Sequence, residues 1–253
     1  MREPQEVLMT RRTPTLLLLL LLLVPALAVG AYVARAGGGP PPSSSKVYAA
    51  VSNAMRTMSA TRYRHHDRED PAQGDYYFDC VGMVDYFLRR GAPGARAEMR
   101  ASEGTRRGFV PKPDKMGDFL RSLATRPRRF WRPVGAAGSI QPGDVLVMNR
   151  LERSHGRIFV GHAMIAAAAP ERRRDGTYAL RVFDSTGTPH GAGDSRLTDT
   201  RAIPSRPGRK AGSGLGTGVV KLWADHAGRP VRISWSLGRA PVPTPIEVGR
   251  PLG

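Results

Sequence analysis

The 253-residue chain holds a single cysteine, Cys80, so a disulfide-stapled scaffold is excluded. Acidic residues are scarce: 21 Asp and Glu stand against 39 Lys and Arg, giving a net charge of +18. No helix-turn-helix, zinc-finger or RNA-binding signature accompanies that charge, which excludes nucleic acid as the expected partner. The glycine-rich stretch 212–218 lacks the lysine of a phosphate-binding loop, and nucleotide binding goes with it. No spaced pairs of His or Cys complete a zinc set either. His65, His66 and Asp67 are adjacent, and neighbours on an extended chain point to opposite sides. Neither a metal nor any other cofactor is expected. Aromatic residues make up only 7%, whereas 29 glycines and 22 prolines mark a turn-rich fold and a 40% hydrophobic share still supports a buried core.

One long hydrophobic run is present, and it lies at the N-terminus. Arg11 and Arg12 precede an uncharged stretch, 13–34, that includes eight consecutive leucines. Residues 1–36 read as a cleaved signal peptide or a retained membrane anchor, since small residues fit a cleavage site and the run is also long enough to span a bilayer. In both cases the basic flank predicts an extracytoplasmic C-terminal domain, secreted or membrane-anchored. Residues 37–45, Gly, Pro and Ser throughout, read as a linker. Setting aside 1–36 removes four arginines and two glutamates, so the exported part carries +16. Outside the membrane that charge suits anionic wall polymer or lipid headgroups. Residues 46–253 have the length of one domain, expected to be a monomer.

The first half of this domain carries helical periodicity and the second half strand patterning, which predicts an α+β fold. Helices are expected over 46–61, 80–90, 92–101 and 113–125, with Asp79 as N-cap of the second. Residues 62–76 are polar and irregular. Strands are expected over 145–148, 158–168, 178–184, 218–223 and 231–237, the first entered through Pro142-Gly143-Asp144.

Cys80 therefore opens a helix. The positive end of the helix dipole and the unpaired N–H groups there favour thiolate over thiol and can stabilise an oxyanion. The sequence Phe78-Asp79-Cys80-Val81-Gly82-Met83-Val84, followed by Pro142-Gly143-Asp144-Val145 and Gly161-His162-Ala163-Met164-Ile165, resembles the NlpC-type family of papain-like cell-wall cysteine peptidases over roughly residues 63–184. The resemblance implies a papain-like fold, with N-terminal helices packed on a small antiparallel sheet or partly open barrel. It also implies Cys80 as nucleophile, His162 as base and Asp184 as the third member, cleaving an amide such as a wall-peptide bond through a thioester. Tyr63 resembles the family's upstream tyrosine that assists the oxyanion hole, and His190 stands as an alternative partner for His162. Val81 replaces the family's serine, Asp184 replaces its commoner His, Asn or Gln, and the segment between His162 and Asp184 is long. Two rival readings remain open: a transglutaminase-like acyltransferase, which shares the chain order Cys, His, Asp, and a catalytically silent basic module that binds the envelope.

Overall fold

Apolar residues repeating at three and four build the helical half, and the computed structural model describes residues 43–65, 68–102, 110–149, 152–154, 157–159 and 161–252. The expected export segment 1–36 and linker residues 37–42 lie outside them. Ser43, Ser44 and Ser45, expected in the linker, instead begin helix α1 (Ser43–Thr57). Serine suits a helix start, where its hydroxyl competes for orphan backbone groups, and Ser44 is buried. Among the described residues no helix is long and apolar enough to cross a membrane.

Helix α2 (Cys80–Gly91) starts where expected: the Asp79 carboxylate accepts from the Gly82 backbone N–H at 2.9 Å. Helices α3 (Pro93–Ser102) and α4 (Pro113–Ser122) follow, the latter with proline in its first turn, where a missing N–H costs nothing. Between α1 and α2 the polar stretch is more ordered than expected. It forms β1 (Ala60–Tyr63), β2 (Arg68–Asp70) and β3 (Asp75–Phe78), a three-stranded sheet with β3 central and β1 parallel to it.

The remaining strands are β4 (Trp131–Pro133), β5 (Val145–Met148), β6 (Glu152–Ser154), β7 (Arg157–Phe159), β8 (His162–Ala166), β9 (Glu171–Arg172), β10 (Tyr178–Thr186), β11 (Gly214–Ala224), β12 (Pro230–Ser234), β13 (Val242–Pro243) and β14 (Ile246–Pro251). β6 and β7 form a separate hairpin, and the others make a nine-stranded antiparallel sheet in the order β13-β12-β11-β10-β8-β5-β14-β4, with β9 added to β10. The sheet is thus larger than the small one expected, and open. β14 enlarges it, in a segment where Gly249 and prolines at 245 and 251 hide the alternating pattern. The expected continuous strand over 158–168 is broken at Gly161, whose φ of +120° only glycine adopts easily and where a Cβ would strike the Met148 carbonyl oxygen.

Alternation along the strands divides the interior in two. Val145, Val147, Ala163, Ile165 and Phe183 face the helices, where Val47, Val51, Met83, Val84 and Phe87 meet them. Leu146, Met164, Ala166, Leu180 and Val182 face the other way and pack with Val220, Ile233 and Val248. The sheet curls so that β12 approaches β14 around this second core. By the same two-residue period, His162 and Asp184 share the curled face and stand at its mouth.

Loss of the α2 cap should be felt alone: Asp79→Ala should lower unfolding free energy by about 1 kcal/mol in urea titrations, whereas Asp79→Asn, also a good cap, should stay within about 0.5 kcal/mol of the parent.

Candidate active site

Asp184 lies on β10, next to β8, and its side chain has no solvent exposure. Three side chains converge on it. His162 Nε2 donates to Asp184 Oδ2 at 2.7 Å, His190 Nε2 donates to the same oxygen at 2.9 Å, and the Arg196 guanidinium pairs with Oδ1. Burial alone would raise this carboxyl, but the Arg196 charge, then His190 and the two histidine hydrogen bonds, hold it well below the usual carboxylate range. The carboxylate is therefore ionised and can only accept, so both histidines carry a proton on Nε2.

The two histidines then part ways. His190 Nδ1 faces the Trp235 carbonyl oxygen at 2.8 Å, so both ring nitrogens meet acceptors and both must donate. Burial opposes a charge on this ring; the Asp184 charge and hydrogen bond outweigh it and raise the pKa. His190 is an imidazolium. Among the described residues His162 makes no second hydrogen bond, so its Nδ1 has no acceptor like the one that His190 meets. Arg196, 1% exposed, also donates to Asp194 Oδ2 at 2.8 Å and to the Gly214 carbonyl at 2.9 Å. Two carboxylates thus balance Arg196 and His190.

Glycine makes room for this cluster. A Cβ at Gly218 would run into the His190 ring, and one at Gly216 would come within 2.7 Å of the Arg196 Nε. The glycine-rich segment that fails as a phosphate loop is thus the strand wall behind two buried cations. Trp235 completes the cluster, stacked on His190 with ring centroids 4.0 Å apart and set edge-on to His162 at 4.9 Å.

His162 and Trp235 open into a cavity of about 600 Å³ shared with Tyr63, Met148 and Thr188. Tyr63, at the end of β1, is raised above the usual phenol range by burial first and then by its neighbours Cys80, Asp79 and Asp184, so it remains a proton donor. His65 lines the same cavity, while His66 and Asp67 lie outside the described residues.

Cys80 occupies the first turn of α2 on the helix side of β8 and is 6% exposed. The backbone N–H of Ala163, the residue after His162, and that of Val81 point at its sulfur. Burial, then the Asp79 carboxylate, push the thiol up to about 12 against these two amides. The low-pKa thiolate expected from the helix start is therefore not the resting form: desolvation and the capping carboxylate outweigh the dipole. The structure brings His162, Asp184 and His190 into contact and Tyr63 into the same cavity. It does not join Cys80 to the His162 ring by a hydrogen bond, and Cys80 is not part of the cavity lining. The Pro142-Gly143-Asp144 turn proves architectural, because Asp144 accepts from the Gln141 N–H and pairs with Arg250 of β14 at 2.8 Å.

Comparison with known proteins brings no match: no family model, no curated protein and no solved structure matches the chain. Arg196 and Trp235 were missed in the sequence reading. Arginine count carries no signal in so basic a chain, and Trp235 sits in a segment read simply as strand. Gly216 and Gly218, alternating on one strand face, were the available sign of bulky neighbours.

Arg196→Met should destabilise the fold by about 3–5 kcal/mol in denaturant titrations, since it strands two buried carboxylates. The pH dependence has two limbs. The depressed Asp184 contributes stability above about pH 4 that is lost as pH falls through its folded value, and the raised His190 contributes stability below about pH 6.5 that is lost as pH rises through its folded value. His190→Gln should therefore flatten the alkaline limb of a stability–pH curve and also shrink the acid limb, which Arg196 and His162 keep from vanishing because they still hold Asp184 low.

Proposed function

We propose that the chain is an extracytoplasmic cysteine hydrolase that cleaves an amide, of the kind found in wall peptides, with Cys80 as nucleophile, His162 as general base and Asp184 as its orienting acid. The observation that carries this reading is the buried 2.7 Å bond from His162 Nε2 to an ionised Asp184, which presents a basic Nδ1 beside a cavity and one residue along β8 from the amide that touches the Cys80 sulfur. A thiol at a helix start and a histidine on the sheet beside it support a papain-like reading of this α+β fold.

In this mechanism Cys80 rests as a neutral thiol. His162 Nδ1 removes the proton as sulfur attacks the substrate carbonyl, and the Asp184 charge stabilises the imidazolium that forms. The first-turn amides of α2 and the Tyr63 hydroxyl face the oxyanion. His162 then protonates the leaving amine, which departs and leaves a thioester. Water, deprotonated by the same nitrogen, releases the acid and restores the thiol. Thiol and ring must meet around the first residue of β8, so turnover involves a shift of one or both side chains.

A second reading has one observation in its favour. The buried, raised thiol of Cys80 also suits a silent module that holds anionic envelope polymer on a basic surface. Chemistry separates the two. The full chain incubated with purified wall material and with acylated small amides should release products seen by mass analysis, Cys80→Ala should release none, and His162→Ala should slow release by about 10²–10⁴-fold. Iodoacetamide labelling of Cys80 should accelerate with pH through 9 without a plateau. Products that persist in Cys80→Ala would remove Cys80 as the nucleophile, and no product from any of these substrates would favour the binding module.

A further inference from the structure

The cavity beside His162 has a one-sided charge. Among its described lining residues there is no carboxylate, yet Arg206 and Arg239 reach it from separate segments, one before β11 and one between β12 and β13. Both arginines are exposed, and among the described residues neither guanidinium has an ion-pair or hydrogen-bond partner in its side chain. The acids that act on Tyr63 are already engaged: Asp184 is closed off by its three partners, and Asp79 caps α2 and faces His65 at 3.4 Å. The lining also includes the apolar side chains of Met148, Ile233, Trp235 and Val242. Trp235 is held in place by its indole N–H, which donates to the Thr188 carbonyl at 3.1 Å. Beyond Tyr63 a second recess of about 320 Å³, lined by Arg62, Arg64 and Ser205, continues the positive potential.

We propose that Arg206 and Arg239 form an anion subsite, so that the cleft selects a substrate carrying an oxyanion group, carboxylate or phosphate, attached to an aliphatic portion next to the bond presented to His162. This deepens the amide-hydrolase reading and rests on it for the word substrate; the binding step itself requires no chemistry. Two planar guanidiniums offer forked donors to an oxyanion, and the lack of any opposing carboxylate leaves their potential uncompensated until a ligand arrives. The apolar wall beside them accepts methylene groups, and Trp235 carries the contact to the catalytic histidine.

Trp235 also supplies the readout. The full chain bearing Cys80→Ser, which prevents turnover, is titrated by tryptophan fluorescence with N-acetylglutamate α-methylamide and with its glutamine counterpart, which differ by one carboxylate. The acid should bind about tenfold or more tightly than the amide, the worth of a charge-assisted hydrogen bond. The Arg206→Gln/Arg239→Gln pair should abolish the preference, and Arg206→Lys/Arg239→Lys, which keeps the charge, should retain part of it and so separates loss of recognition from loss of fold. Inorganic phosphate that displaces the acid assigns the subsite to oxyanions at large, and failure to displace it assigns the subsite to carboxylates. Equal binding of the two amides, or a preference that survives the double glutamine variant, overturns the proposal. Preference without turnover in the parent chain would instead remove the hydrolase reading and keep the subsite, while equal kcat/KM for acidic and neutral amides would do the reverse.

Discussion

A carboxylate stripped of water is stable only when its partners supply what solvent would, and Asp184 meets that condition with two histidine N–H groups and a guanidinium. Much of the second half of the chain is arranged around it. β10 carries Asp184 and β8 carries His162. The segment between β10 and β11 supplies His190, Asp194 and Arg196, and β11 offers glycines where those side chains press on its backbone. Because one oxygen accepts from both imidazoles, the protonation of each is dictated by what its other nitrogen meets. A carbonyl makes His190 a cation, whereas among the described residues His162 Nδ1 meets no such acceptor. Two chemically identical side chains thereby acquire different roles from a single hydrogen-bond difference.

The same logic of burial sets the state of Cys80. A helix start stabilises negative charge, but the field of a few backbone dipoles competes with desolvation and with the carboxylate of the residue that begins the helix. Asp79 is therefore a compromise between stability and reactivity: it secures α2 through the Gly82 N–H while opposing ionisation of its neighbour. In the proposed mechanism the thiol is neutral at rest, so its proton leaves during attack rather than from a standing ion pair.

The helices and the central strands were legible in the sequence because each has one greasy side. Val81, Val84, Phe87 and Leu88 fixed α2, the Asp79 cap fixed its start, an uninterrupted apolar run fixed β5, and apolar residues on both sides of Arg181 fixed β10. The short strands β1 to β3 were not legible, since they are polar segments held by pairing with one another. β14 was hidden by its glycine and prolines. Within the site, His162, Asp184 and His190 were each singled out by type and position, yet how they connect depends on three-dimensional burial that no spacing encodes. Arg196 shows the limit most clearly: the least exposed cation of the site looks like any other arginine in a chain with net charge +18.

The central claim, that both imidazoles donate through Nε2 to an ionised Asp184 and that His190 donates through Nδ1 as well, is tested most directly by nitrogen-15 NMR of histidine-labelled protein at pH 7. The account predicts His162 with a proton on Nε2, and His190 with both ring nitrogens protonated. A neutral His190, or a His162 with a bare Nε2, would contradict it.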